Sequence, residues 1–181
     1  MRVRRFLALA GLLFLALAAR ADNIEVRSAA IALGEDGYVL NADFEIALTP
    51  TLEDILSKGV PLNFLLEVEI IRPRWYWFND RIATSAQQYK LSYNSLTRQY
   101  RVSLGTLFQN FATVGEAVRF FSSVRNLPVA DKSDLQPGAE YQAAVRMRLD
   151  VSQLPKPFQI TAFGSREWNL SSDWRRFAVT P

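Results

Sequence analysis

Apolar and polar residues alternate along much of the chain. In the segment YVLNADFEIAL, every second residue of 38–48 is apolar, and three of the residues between them are polar. An alternation with period two predicts a half-buried β-strand. Residues 24–33 alternate in the same way, and Gly34 and Gly37 between the two segments supply the backbone freedom that a tight turn requires. We therefore predict an antiparallel hairpin here.

The same pattern predicts further strands. Residues 63–71 place Phe64, Leu66, Val68 and Ile70 on one face, and Pro73 is expected to end or bend this strand. A second hairpin is predicted from the alternating segments 89–93 and 100–104, with a polar turn at 94–97. Residues 141–150 alternate throughout, and FQITAF (158–163) is interpreted as the final strand.

Two short helices are predicted. The first has Thr49 as its N-cap and Pro50 as its first helical residue, and Gly59 is expected to end it. The second begins at the capping box formed by Thr113 and Glu116 and continues with apolar residues at helical spacing to residue 126. The LPKP segment (154–157) is interpreted as a fixed corner between two strands, and a proline-rich docking motif is the weaker alternative.

These elements favour a mainly β fold. About seven strands, antiparallel hairpins and two short helices are typical of a two-layer antiparallel β-sandwich of immunoglobulin-like character. The polar–apolar alternation disfavours a parallel sheet, whose strands are buried on both faces. We find no internal repeat and no linker that would divide the chain.

The amino terminus has the pattern of a secretory signal peptide. A basic start is followed by an unbroken apolar stretch at 6–19 and by an A-x-A cleavage site at 19–21. We therefore predict cleavage after Ala21, a single domain at 22–181 and a periplasmic location. The alternative is a retained anchor, although this stretch is shorter than the roughly 20 residues that span a bilayer.

Removal of the leader changes the net charge. The 181-residue chain has 21 basic and 18 acidic residues, and four arginines lie in the leader, so residues 22–181 carry a net charge of −1. A nucleic-acid partner is not expected, because such a partner requires a basic surface. Contact with the membrane is expected only through the transient signal peptide.

The composition limits the available chemistry. The chain has no histidine and no cysteine, which removes the commonest general base, the thiolate nucleophile and the preferred ligands of zinc. We therefore predict no catalytic residue, no metal site and no cofactor. The remaining candidates for catalysis are two pairs of acids at alternate strand positions, Glu67 with Glu69 and Asp43 with Glu45. Such pairs are more often ordinary solvated charges.

The stretch RPRWYWFNDR is the candidate binding site. In an extended chain its four consecutive aromatic residues alternate between two faces. One pair can enter the core, while the other meets a partner, solvent, or the protein's own helix or tail. Trp, Tyr and Arg are enriched at binding hot spots, so both a recognition platform and a piece of core remain open. The candidate residues are Arg72, Arg74, Trp75, Tyr76, Trp77, Phe78 and Arg81.

Four segments together carry a family resemblance. They are WYWFNDRIA, LSYNSLTRQYRVS, the run from Tyr141 to Asp150, and LPKPFQ. With these segments the chain resembles a DUF4390-like family of exported proteobacterial proteins, a domain of unknown function. The resemblance implies a periplasmic β-rich domain without assigned activity or catalytic residues. It also implies a gene neighbourhood that contains a membrane sensor kinase of the nitrogen-regulation type.

Three functional hypotheses follow. The leading one is a non-enzymatic periplasmic binding or adaptor domain that presents the aromatic segment and a sheet edge to a protein partner in the cell envelope, such as a membrane sensor kinase. The second is a glycan- or peptide-binding module that uses the aromatic and arginine residues. The third is a carboxylate-dependent hydrolase, which requires two acids within about 10 Å of each other.

Overall fold

The computed structural model describes residues 24–74, 80–162 and 164–181. The predicted signal peptide and the aromatic residues 75–78 lie outside the described residues. The described chain forms nine strands: β1 (Ile24–Leu33), β2 (Gly37–Ile46), β3 (Leu62–Arg72), β4 (Asp80–Asn94), β5 (Gln99–Leu104), β6 (Leu107–Phe111), β7 (Ser123–Asp131), β8 (Tyr141–Leu149) and β9 (Arg175–Val179). Its α-helices are α1 (Pro50–Ser57), α2 (Val114–Ser122) and α3 (Lys156–Ala162), with 3₁₀ turns at Val151–Gln153 and Arg166–Trp168.

The strands form two antiparallel sheets, which confirms the predicted β-sandwich. The smaller sheet has the order β1-β2-β7, and the larger has the order β6-β5-β4-β3-β8-β9. β3 lies at the centre of the larger sheet, where β4 and β8 pair with its two sides. The pairing of β3 with β8 joins parts of the chain that are far apart in sequence.

The predicted inward faces are the buried ones. Alternate residues of β2, β3 and β8 are buried, and they belong to one core cluster with residues of the helices. Within this core, one aromatic ring of α2 packs on two rings of the larger sheet. The ring centroid of Phe121 on α2 is 4.9 Å from that of Phe64 on β3 and 5.7 Å from that of Tyr89 on β4. Phe121 therefore anchors α2 to two strands of the larger sheet.

The first hairpin forms as predicted, and its two glycines have different roles. The Gly34 N–H donates a hydrogen bond to the Gly37 carbonyl at 2.7 Å, which closes the turn. Gly37 begins β2 directly beside β7, and a Cβ atom at this position would lie 2.4 Å from the Ala130 carbonyl oxygen. Neither glycine has a positive φ, so the predicted need for backbone freedom in the turn is wrong, and Gly37 is required for the close approach of two strands.

The starts of the first two helices also form as predicted. The Thr49 side chain caps α1, and Gly59 follows the helix with a φ of 87°. At α2 both hydrogen bonds of the capping box between Thr113 and Glu116 are present. None of the helices in the described ranges is long and apolar enough to cross a bilayer.

The predicted end of the second helix is wrong. Helix α2 ends at Ser122, and residues 123–131 form β7 at the edge of the smaller sheet. Pairing with β2 overrides the helical spacing that reaches Val124. Side chains reinforce this pairing, because the Asp43 carboxylate on β2 accepts hydrogen bonds from Ser123 at 3.0 Å and from Arg125 at 2.6 Å.

The described part of the chain has three α-helices, and not two, because residues 158–162 of the predicted strand FQITAF lie in α3. The N–H groups of Phe158 and Gln159 donate to the Pro155 carbonyl at 2.9 and 3.3 Å, so LPKP leads into a helix and not into a strand. Proline is favourable in a first helical turn, where its missing N–H has no partner to lose. The Phe158 ring then packs on Trp168, with centroids 5.8 Å apart.

Candidate functional site

The three predicted arginines lie together at the far end of the β3–β4 hairpin. Arg72 is the last residue of β3 and pairs in register with Asp80, the first residue of β4. The Arg72 guanidinium carbon is 5.8 Å from the centroid of the Tyr141 ring, and Arg74 forms an ion pair with Asp80. The exposed side chain of Arg81 lies 3.8 Å from Glu69. The remaining predicted residues, Trp75 to Phe78, lie outside the described residues.

The strand that leaves this end of the hairpin has an open edge. β5 pairs only with residues 90–94 of β4, whereas β3 pairs with β4 from Asp80 to Leu91. Among the described strands, the segment 80–89 therefore has a ladder partner on its β3 side alone. β7 of the smaller sheet passes close to β4 without forming a ladder with it. The open edge contains no proline and no lysine, and its two charged residues are Asp80 and Arg81.

A charged cluster covers the outer face of the larger sheet next to this hairpin. One carboxylate oxygen of Glu67 on β3 accepts hydrogen bonds from Arg146 at 2.9 and 2.6 Å and from Arg148 at 3.0 Å, both on β8. The Arg146 guanidinium carbon lies 4.5 Å from the centroid of the Trp174 ring, in cation–π geometry. Arg148 is also 3.8 Å from Asp150. The four side chains Glu67, Arg146, Arg148 and Trp174 are called the outer-face cluster below.

The arginines hold Glu67 in its charged form. Burial alone would raise the pKa of Glu67, but the hydrogen bonds and positive charges of Arg148 and Arg146 have the larger effect, so its pKa lies below the ordinary glutamate value. A general acid for hydrolysis needs a raised pKa. The lowered pKa therefore disfavours Glu67 in that role, although Glu67 shares a shallow groove with Glu69.

This groove has a volume of about 180 Å³ and is lined by Glu67, Val68, Glu69, Thr84, Ser85, Ala86 and Trp174. Its volume is below the roughly 300 Å³ at which pockets for drug-sized ligands begin. The groove has space for one small polar group beside an indole ring. In the part of the chain that the structure describes, no group of three or more acidic side chains is placed to hold a metal ion.

The second predicted pair of acids has partners within the smaller sheet. Asp43 accepts hydrogen bonds from Arg125 and Ser123 on β7 and from Ser28 on β1, so one carboxylate connects all three strands. These hydrogen bonds, that of Arg125 foremost, lower the pKa of Asp43. Glu45 forms an ion pair with Arg27. The arrangement supports a structural role for both acids.

Replacing Glu67 by glutamine tests the outer-face cluster. The variant leaves two half-buried arginines without their shared charge, so we expect the free energy of unfolding at pH 7 to fall by about 1–2 kcal/mol. Because the pKa of Glu67 is lowered by folding, its stabilisation is complete above the ordinary glutamate pKa of about 4.3 and is lost as the pH falls through the folded value. Urea titrations from pH 7 to pH 3 should therefore show the two proteins converging in acid.

Glu69→Gln is the matched control, because Glu69 lies two residues along the same face and its ion pair with Arg81 is long and exposed. This control should change stability by less than about 0.5 kcal/mol. Equal effects of the two substitutions at pH 7 would contradict the role assigned to Glu67.

Sequence reasoning missed two features. The outer-face cluster was not predicted, because its members lie about eighty residues apart or in the carboxy-terminal tail, and only the register of β3 with β8 brings them together. The second feature is a set of exposed apolar side chains on β6 and α2, comprising Leu107, Phe108 and Phe120. Phe120 continues the apolar helical spacing of this segment but is 43% exposed, because the buried face of α2 consists of Ala117, Val118 and Phe121.

The comparisons with known proteins identify a family and nothing beyond it. No curated protein and no solved structure was found to match the chain. A family model described as "Domain of unknown function (DUF4390)" matches residues 21–178, which is most of the chain. The chain therefore belongs to the DUF4390 family.

Proposed function

We propose that the protein is an exported, non-enzymatic binding or adaptor domain that engages a protein partner in the cell envelope. The observation that carries this proposal is the open edge of β4 over residues 80–89, which lies beside the three arginines at the end of the hairpin. The secretory leader predicted at 1–21 supports a periplasmic location. A membrane sensor kinase is one candidate partner.

The open edge suits the addition of a strand. Unpaired N–H and C=O groups along an edge form a template on which an extended segment of a partner can add a strand. Side chains on the outer face at positions 84, 86 and 88 are exposed beside this edge and carry no charge. An incoming strand would therefore meet no charged side chain there, while Arg72, Arg74 and Arg81 mark one end of the edge.

Recovery of partners from envelope extract tests this proposal. We expect the tagged protein to recover an envelope protein that the Trp75→Ala/Trp77→Ala variant recovers about tenfold less efficiently, as for loss of hot-spot side chains. Arg176→Ala is the control, because Arg176 is an exposed residue of β9 at the opposite edge of the larger sheet. The purified partner should then bind the wild-type protein directly and with the same dependence on these residues.

Two outcomes would contradict the proposal. If the double variant retains the same partner as the wild-type protein, or if Arg176→Ala loses it to the same extent, the hairpin is not the binding surface. Circular dichroism of each variant shows whether the fold is intact before recovery is compared.

A second candidate is a glycan- or peptide-binding module, which the groove beside Trp174 favours. An indole ring next to Glu67, Glu69 and Thr84 offers a stacking surface together with acceptors for hydroxyl or amino groups. Cell-wall fragments should then change the tryptophan fluorescence of the wild-type protein, and Trp174→Phe should abolish that change. A response that persists in Trp174→Phe would exclude this groove as the source.

A further inference from the structure

The edge strand β6 differs from the other three edge strands of the two sheets. Proteins protect exposed strand edges with charges or proline. β1 carries Glu25 and Arg27, β7 carries Arg125 and Pro128, and β9 carries Arg175 and Arg176. β6 has the sequence LFQNF, with no charge and no proline, and it pairs with β5 on one side only. Among the edges in the described chain, it is therefore the least protected.

Apolar side chains border β6 on both faces of the sheet. On the outer face Phe108 is 60% exposed, and the Arg101 guanidinium carbon lies 4.4 Å from the centroid of its ring. On the inner face Leu107 is 72% exposed, and the ring of Phe111 lies 5.3 Å from that of Phe120 on α2, which is itself 43% exposed. Successive side chains of an added strand point to opposite faces. Such a strand would contact apolar groups on both faces of the sheet.

The surroundings of β6 are basic. Residues 90–122 contain Lys90, Arg98, Arg101 and Arg119 but a single acidic residue, Glu116, and so carry a net charge of +3. The Glu116 carboxylate accepts hydrogen bonds from the backbone N–H groups of Ala112 and Thr113. The rest of the 22–181 region carries a net charge of −4. Residues 141–181 also carry a net charge of +3, from six basic and three acidic residues, so the stretch around β6 is one of two basic parts of the chain.

We propose that β6 is a second binding edge that takes up an extended segment of a partner protein in which acidic and apolar residues alternate. The apolar residues pack on Phe108 and on the Phe111–Phe120 pair, and the acidic residues lie near the arginines and lysine of residues 90–122. Two copies of this chain would bring two basic regions together, so a second copy is the poorer occupant. This surface is separate from the β3–β4 hairpin and does not depend on the function proposed for that hairpin.

The probe is a synthetic peptide in which glutamate alternates with valine and phenylalanine. We expect fluorescence anisotropy of the labelled peptide to show saturable binding to the full protein, weakening as the salt concentration rises. Phe108→Ala and Phe120→Ala should each weaken binding about tenfold, because exposed aromatic anchors dominate such contacts. Arg101→Gln should weaken binding and reduce its dependence on salt. A peptide with lysine in place of glutamate should not bind.

Ile160→Ala is the matched control, because Ile160 is an exposed apolar residue on α3, an element that is not part of the β6 surface. Equal binding of the lysine peptide, equal weakening by Ile160→Ala, or no binding at millimolar peptide would each overturn the proposal. So would a concentration-dependent dimer that Phe108→Ala abolishes in sedimentation, since β6 would then bind a second copy. Trp75→Ala/Trp77→Ala should leave peptide binding unchanged, which separates this result from the outcome for the hairpin.

Discussion

Replacing Phe121 by alanine is expected to lower the free energy of unfolding by about 3–5 kcal/mol. The side chain is 1% exposed, and its ring contacts those of Phe64 and Tyr89 in the core. Its loss leaves a cavity between α2 and the larger sheet as well as removing apolar surface from the core. Equilibrium unfolding in urea, followed by circular dichroism, measures the difference.

The neighbouring residue provides the control. Phe120 has the same side chain on the same helix, but it is partly exposed and its contact is with Phe111. Phe120→Ala should lower stability by about 1 kcal/mol or less. If the two alanine variants are equally stable, α2 is not anchored through Phe121 as described.

Replacing Gly37 by alanine is expected to lower the free energy of unfolding by about 2–3 kcal/mol, although the change adds a single methyl group. The added Cβ atom would lie 2.4 Å from the Ala130 carbonyl oxygen, and this atom belongs to the backbone of β7. A backbone atom cannot rotate away as a side chain can, so β2 and β7 must separate at this point. Thermal and urea unfolding both report the loss.

Gly115→Ala is the matched substitution with the opposite expected sign. Gly115 lies in the first turn of α2, and outside its chain neighbours and the local helix backbone no atom lies within 4 Å of the position of an added Cβ. Alanine is the better helix former, so stability should rise by about 0.5–1 kcal/mol. A stabilising effect of Gly37→Ala would contradict the close approach of the two strands.

The sequence predicts the strands of this fold well because their burial is periodic. β2, β3 and β8 each have one face in the core. Apolar residues such as Phe64 and Leu66 therefore occur at every second position, and this pattern predicts the strand. Local chemistry also predicts where helices begin. Thr113 and Glu116 form the capping box entirely from residues within one turn, so no tertiary contact is needed to predict it.

The errors arise where distant parts of the chain decide the structure. Val124 continues the helical spacing of α2, yet residues 123–131 pair with β2 and form a strand. In QITAF the apolar residues are too few to distinguish a strand from a helix, and Pro155 and Pro157 favour the first turn of α3. The outer-face cluster depends on strand register, which the alternation of residues does not specify.

The pairing of β3 with β8 has a consequence for the order in which the protein folds. The hydrogen bonds from Arg146 and Arg148 to Glu67 join residues 79 and 81 positions apart, whereas the β1–β2, β3–β4 and β4–β5 pairs are hairpins between consecutive strands. Local pairs close sooner, because the entropy lost in closing a loop grows with its length. During synthesis, one side of β3 therefore has no partner strand until β8 has been made. A chain that ends before β8 would keep the apolar centre of its larger sheet exposed and prone to aggregation.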